Sequence, residues 1–276
     1  MDDQEFNHLK SHIYKLTRLN LDGYKVQQVR RRLEGYVERT VHANVQEFCR
    51  ILDRDPNKRR ELIDYLAINV SEFFRDINQF SFLKTNIIPE LKKKKARLNI
   101  WSAACSCGQE PYSLAMYLEE QGCNYRILAT DIDASALEKA RNGGPYTDQD
   151  IRNVEPHYQK IYFTHDATGH KVRITLARNI DFKSHNIHSD SFLGGYDLIV
   201  CRNAIIYFSE PVRDEIFKKF FSSLNHGGYL FIGGSEAILN PNKIGFKTVR
   251  PSYYLKPREE QLNVPLAALK GDKAPC

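Results

Sequence analysis

No apolar run in the 276 residues approaches the ~18 to 20 that a membrane-spanning helix needs; the longest are short stretches such as Ala204 to Phe208. The start, Met1-Asp2-Asp3-Gln4-Glu5, is acidic with no apolar run behind it, so no secretory signal and a soluble, cytoplasmic protein are expected. Six cysteines, at 49, 105, 107, 123, 201 and 276, form no C-x-x-C pair and lie far apart. Free thiols in a reducing compartment fit that pattern. Cys105-Ser106-Cys107 is spaced too tightly for an ordinary zinc pair, and no second Cys/His pair follows. His42, His157, His165, His170, His185 and His188 show no metal spacing either, and no metal is expected. A G-x-G-x-x-G turn is missing, which counts against a nicotinamide dinucleotide. Charge of one sign is not dominant: Lys+Arg 40 against Asp+Glu 34 gives +6, an excess that suits an acidic partner without requiring one. A recognition-helix motif and an Asn-Pro-Pro-Tyr/Phe-like loop are both absent, so nucleic acid is not the expected partner.

What is present divides the chain. Phe6, Leu9, Ile13 and Leu16 recur at helical spacing, as do Val26, Val29, Leu33 and Tyr36/Val37, then Val45, Phe48 and Leu52, then Leu62 and Tyr65/Leu66. No strand signal precedes residue 97. The four lysines Lys92 to Lys95 read as the joint, giving a helical domain with linker over 1–90 and an α/β domain over 91–260. In the second part, Leu98 to Ala103, Arg126 to Thr130, Tyr196 to Cys201 and Tyr229 to Ile232 read as strands. Pro111 to Gln121, Ala134 to Arg141 and Glu210 to Leu224 read as helices. Such alternation predicts a parallel sheet covered by helices, with a site at the carboxyl ends of its strands. Between about 146 and 178 it stops. Tyr162-Phe163, the turn Asp166-Ala167-Thr168-Gly169 and the period-two run Val172, Ile174, Leu176 predict an inserted antiparallel hairpin. Residues 261–276 read as a loose tail.

Two features carry chemistry. The loop Ala104-Cys105-Ser106-Cys107-Gly108-Gln109-Glu110 joins a strand to a helix start, which aims backbone N–H groups at a ligand. Asp131 ends the second strand about twenty residues after Gly108, where a carboxylate can accept from both hydroxyls of a ribose; Asp133 competes with it for a helix cap. Together they point to an adenosine-bearing ligand without a pyrophosphate, of which S-adenosylmethionine is the common one.

Five blocks, in order, carry a resemblance. They are Asn69-Val70-Ser71-Glu72-Phe73-Phe74-Arg75-Asp76; Ile100-Trp101-Ser102-Ala103-Ala104-Cys105-Ser106-Cys107-Gly108-Gln109-Glu110-Pro111-Tyr112-Ser113; Ala129-Thr130-Asp131-Ile132-Asp133; Cys201-Arg202-Asn203-Ala204-Ile205-Ile206-Tyr207-Phe208; and Gly233-Gly234-Ser235-Glu236. The chain thereby resembles the CheR family, methyltransferases of bacterial chemotaxis receptors. The resemblance implies an α/β fold: a Rossmann-like S-adenosylmethionine-dependent methyltransferase domain with a small inserted antiparallel β-subdomain, preceded by an all-α domain. It implies methyl transfer to glutamate side chains on the cytoplasmic helices of chemoreceptors, with S-adenosylhomocysteine as product and recruitment to membrane receptor arrays.

Carried over by motif, the resemblance gives Asn69, Ser71, Arg75, Glu110, Asp131, Asn186, Ile187, Arg202 and Asn203 as cofactor-binding residues, with Arg75 and Tyr207 as positioning groups at the reaction and no general base. Asn186 can offer its amide to the adenine edge, and Glu110 can meet the ligand's ammonium. Arg75, with its planar fork, suits a carboxylate, that of the cofactor or that of the substrate. Arg30, Arg31, Arg32 and Arg39, on or beside the second helix, are expected to face the acidic receptor. Three positions depart from the family's pattern: Cys107 stands where Thr is usual, Gln109 where Glu is usual, and Ser71 where Thr is frequent. The alternative is a scaffold or sensor of the same fold that binds the cofactor without transferring its methyl group; the retained Asn69, Arg75, Glu110, Asp131 and Asn203 weigh against it.

Overall fold

Apolar residues at helical spacing must bury one stripe of each early helix, and a bundle does this. A computed structural model describes residues 1–17, 19–40, 44–66 and 71–258. Helices α1 (Asp3–Thr17), α2 (Val26–Thr40), α3 (Val45–Arg54) and α4 (Pro56–Leu66) enclose Phe6, Leu9 and Ile13, then Val29 and Leu33, then Phe48 and Leu52, then Leu62. Asn44 caps α3 by accepting the Glu47 N–H at 3.0 Å. The following helices, α5 (Ile77–Phe82) and α6 (Ile88–Lys94), flank one π-type turn, Leu83–Ile87. Their Phe80, Leu83, Ile87, Ile88 and Leu91 are buried in the core of the sheet, not in that of the bundle. The change of core therefore precedes Phe73, well before the lysine run expected to mark it. Lys92, Lys93 and Lys94 instead form the last turn of α6, where cations suit the helix dipole.

The remaining helices are α7 (Gln109–Glu120), α8 (Ala134–Arg141), α9 (Asp148–Ile151), α10 (Pro156–Tyr162), α11 (Ile174–Ala177), α12 (Glu210–Ser223) and α13 (Pro241–Ile244). The strands are β1 (Leu98–Ala103), β2 (Tyr125–Asp131), β3 (Phe163–Asp166), β4 (Gly169–Val172), β5 (Ile180–Ser184), β6 (Tyr196–Cys201), β7 (Leu224–Ile232), β8 (Lys247–Arg250) and β9 (Tyr253–Leu255). Seven form one sheet in the order β5-β2-β1-β6-β7-β9-β8. The first five are parallel, and β9 runs antiparallel to β7 and β8. Chain order runs from β1 outward to β2 and β5, then resumes at β6 on the other side. The winding reverses between β1 and β6, and a crevice opens there at the carboxyl ends.

Side chains alternate across a strand. Along β1, Leu98 and Ile100 enter one core with Ile127, Leu198 and Phe231. Trp101 and Ala103 enter the other with Ile199, Leu230 and Ile232. Residues of α7 close the first face and Phe217 and Phe220 of α12 the second. Trp101 is buried with its indole N–H satisfied, donating to Thr130 Oγ1 at 2.9 Å.

The hairpin forms with the expected turn: β3 and β4 pair antiparallel from Phe163–Val172 to Asp166–Gly169. It ends earlier than the period-two pattern suggested. Beyond Val172 the chain turns into α11, so Leu176 enters the core while Ile174 is 79% exposed. The Val172 N–H donates to the Gly143 carbonyl, and the Arg173 N–H donates to the Tyr162 carbonyl, both at 2.8 Å, which draws the chain off the ladder. Strand β7 starts five residues before the expected Tyr229 and runs through His226-Gly227-Gly228. Gly227 holds φ +79 while its N–H bonds the Lys256 carbonyl at 2.7 Å, so these glycines bend the strand instead of ending a helix. The tail 261–276 lies outside the described residues.

Candidate functional site

Asp131 and Asp133 divide two tasks between them. Asp133 caps α8, its Oδ1 accepting from the Ser135 and Ala136 N–H groups at 2.8 and 3.0 Å. Asp131 is thereby left to the end of β2, with Oδ2 accepting from Ser106 N–H at 2.7 Å and Oδ1 from Asp133 N–H at 2.9 Å. Burial pushes its carboxyl above the usual range, and those backbone donors pull it back. The Ser106 donor comes from the loop after β1, which holds Ala104 and Ser106 at positive φ before Gly108 at φ +89. A Cβ on Gly108 would stand 2.8 Å from Ala140 Cβ, so only glycine lets α7 start this close to α8.

From α7, Glu110 points back over β1. Its Oε1 accepts from Ser102 Oγ at 2.8 Å and its Oε2 lies 3.7 Å from the Arg202 guanidinium. Burial raises its carboxyl, and Arg202 opposes the rise. Arg202, at the end of β6, lines the cleft and is held by several protein partners, while its buried Nε makes no hydrogen bond. It donates to the Arg75 carbonyl at 2.8 Å and to Asp76 Oδ2 at 2.6 Å, and lies between the rings of Phe80 and Phe231. Such contacts make it a brace that holds the Arg75-Asp76 corner against β6.

Glu236 does the same for the loop after β6. Its buried carboxylate accepts from the backbone N–H groups of Asn203, Ile205, Ile206 and Gly233, at 3.0, 2.9, 3.3 and 2.7 Å. Asn203, at φ +60, and the turn Ile205–Tyr207 are set by this one side chain. No role for Glu236 follows from the sequence, although it closes the Gly233-Gly234-Ser235-Glu236 block. A buried acid next to two strand ends, where backbone donors are in excess, was the available signal.

The helical part completes the wall. Tyr207 accepts from Lys25 N–H through its carbonyl at 2.9 Å, Ser209 N–H donates to the Gly23 carbonyl at 2.8 Å, and the rings of Tyr24 and Phe208 lie 4.5 Å apart. One cleft of about 230 Å³ results, lined by Ser71, Arg75, Glu110, Asp131, Asn186, Ile187, Arg202, Asn203 and Tyr207. Asn69 lies outside the described residues. Arg32 also lines the cleft, donating to the Tyr65 carbonyl. Arg30, Arg31 and Arg39 do not line it, so the expected four-arginine face is split. Arg30 pairs with Asp3, while Arg31 and Arg39 are exposed. Asn186 spends one lone pair on the His188 N–H at 2.9 Å, which leaves its amide N–H₂ as the principal group it can offer.

Two of the departures from the family's pattern have local consequences. Gln109 Nε2 lies 3.3 Å from the Ser71 carbonyl and 3.4 Å from Asp150 Oδ1. A glutamate there would present acceptors to both. The Cys107 side chain is not part of the cleft wall, and its carbonyl accepts from Tyr146 Oη at 2.7 Å.

A cleft with a carboxylate at one strand end, a second buried carboxylate beside an arginine and an apolar wall of Ile132 and Ile187 can hold a hydroxylated, positively charged ligand. Comparison with known proteins agrees. Residues 4–67 match the family described as CheR methyltransferase, all-alpha domain, and residues 69–254 match CheR methyltransferase, SAM binding domain. A chemotaxis protein methyltransferase of Listeria monocytogenes is 36% identical over 241 residues, covering 86% of this chain and 92% of that protein. One from Borreliella burgdorferi is 34% identical over 269 residues, covering 91% and 94%. One from Vibrio parahaemolyticus is 34% identical over 250 residues, covering 86% and 90%.

Proposed function

The chain belongs to the CheR methyltransferase family, and from that premise we propose that it methylates glutamate side-chain carboxylates on the cytoplasmic helices of chemoreceptors, giving methyl esters. It is an S-adenosylmethionine-dependent methyltransferase of chemotaxis; the glutamate acceptor, the receptor partner and work in the cytoplasm at receptor arrays are our reading. Among the described residues no helix is long and apolar enough to cross a membrane.

The observation that carries this reading is the convergence of Asp131, Glu110, Arg75 and Tyr207 on one cleft at the winding reversal. Asp131 is suited to the ribose hydroxyls, Asn186 and Ile187 to the adenine, and Glu110 to the ammonium, with Ser71, Asn203 and Asn69 contributing further polar contacts. When bound, S-adenosylmethionine supplies a methyl group on a sulfonium, activated toward direct displacement. A glutamate with an ordinary pKa of ~4.3 is already anionic near neutrality, so the protein has no proton to remove. Its residues orient and exclude water: Tyr207 and Phe208 wall the approach and Arg75 sets the angle of a carboxylate. Alignment of this kind contributes up to ~7 to 11 kcal/mol in favourable cases. The test is incubation of chemoreceptor membranes with methyl-labelled S-adenosylmethionine followed by mild alkali. A glutamate ester releases labelled methanol; label that stays on the protein contradicts the assignment.

Two expectations follow from the geometry. Glu110 and Asp131 sit above the ordinary carboxylate range because burial penalises their charged forms. A cationic ligand beside them favours the ionised form, so binding releases protons at low pH. Cofactor affinity therefore falls as pH drops through the raised range and is flat above it. With no base to ionise, the transfer rate at saturating substrates is flat above about pH 6; a rise with an apparent pKa near 7 to 8 shows a base. On the helical part, Arg31 and Arg39 are the exposed pair that can meet an acidic bundle. Reversing both to Glu should lower receptor methylation about tenfold at low salt and spare cofactor binding, since exposed charges act mainly through encounter rates. Unchanged methylation at low ionic strength places the receptor elsewhere.

A further inference from the structure

We propose that His8, His12 and Cys49 form a binding site for a zinc-type divalent cation on the N-terminal helices, away from the methyl-transfer cleft. One donor atom of each residue lies within 4.8 Å of the other two. His8 and His12 are four residues apart on α1, which places both imidazoles on one helix face; their ring centroids are 6.1 Å apart. Helix α3 packs on α1 and brings in Cys49, a thiol only 5% exposed. Asp53, one turn further along α3, puts Oδ1 3.0 Å from His12 Nε2. That nitrogen is buried and makes no hydrogen bond of good geometry. A carboxylate against an imidazole is the partner that metal-bound histidines recurrently take.

The donor chemistry selects the ion. Two imidazoles and a thiolate suit zinc and its neighbours, whereas calcium and magnesium require oxygen cages. Ligand atoms around a tetrahedral zinc stand about 3.3 to 3.8 Å apart, given bonds of about 2.0 to 2.3 Å. The three donors must close by about 1 Å, and exposed His8 has the side-chain freedom to do so. As the Zn–S bond forms, the Cys49 proton passes to solvent, and water fills the fourth position. None of the three ligands lines the cleft. The ion would tie α1 to α3 and brace the bundle that carries Arg31 and Arg39. The cluster runs against the expectation of no metal, which the spacing of the other histidines and of Cys105-Ser106-Cys107 had suggested. His8 and His12 become a site only when packing brings a thiol from another helix beside them.

Cobalt(II) is the probe. Titrated into the metal-stripped full chain, it should give a thiolate-to-cobalt charge-transfer band that saturates at one equivalent and is bleached by zinc. C49S should abolish the band, C107S should keep it, and H8A should weaken cobalt binding at least tenfold. H8A removes an exposed side chain, so its S-adenosylmethionine affinity should stay unchanged and serve as the folding control. Absence of the band overturns the proposal, and so does a band of undiminished strength in C49S or undiminished affinity in H8A.

Discussion

Asp131→Asn is expected to weaken S-adenosylmethionine binding by ten- to a hundredfold and to leave the fold in place. The carboxylate already accepts one backbone N–H on each oxygen. Its remaining lone pairs are those a ribose would use. An asparagine keeps one acceptor and turns an N–H₂ toward the other donor. Hydrogen bonds to a charged group contribute about 1.5–3 kcal/mol, and each 1.4 kcal/mol is tenfold in Kd. Asp133, not Asp131, caps α8, so the helix start survives the change. Calorimetric Kd values and thermal unfolding of both forms check this. An unchanged Kd in a folded variant removes the ribose assignment.

The second large effect is at Arg75. Its backbone carbonyl is gripped by Arg202, which sets the corner, and its side chain lines the cleft with Glu110 and Tyr207. Arg75→Ala should lower kcat/KM for receptor methylation by about a hundredfold or more, as expected for losing a bidentate partner of a carboxylate in a sheltered site. Arg75→Lys should recover little, because an ammonium lacks the planar fork. The cofactor Kd separates the two roles left open by the sequence. If the guanidinium meets the substrate glutamate, that Kd stays put while transfer falls; if it meets the cofactor's carboxylate, both change together. Normal transfer and normal binding in Arg75→Ala would remove Arg75 from the site.

How far the sequence alone reached depends on the range of the forces involved. Strands β1 and β6 and helix α8 have the bounds their local patterns indicate, because apolar runs, a cap at Asp133 and the glycines at 143 and 144 act within one element. The described candidates for the cofactor site, from Ser71 to Tyr207, meet in one cleft because motif order and strand ends place them there. What escaped is set by contacts between distant segments. The Arg202–Asp76 pair joins residues 126 apart in sequence, and Glu236 reaches back to donors about thirty residues earlier. No periodicity encodes either. The end of the hairpin at Val172 and the passage of β7 through its glycines are decided by backbone partners, Gly143 and Lys256, that a window of neighbours cannot contain. Likewise, Arg30 looked like its neighbours Arg31 and Arg39 until Asp3 of another helix took its charge.

All of these roles rest on one cleft that retains an adenosyl sulfonium. Equilibrium dialysis of labelled S-adenosylmethionine against the purified full chain tests that most directly. Close to one equivalent should be held per chain and displaced by S-adenosylhomocysteine, with far less held by Asp131→Asn. A folded chain that retains no label would contradict the account.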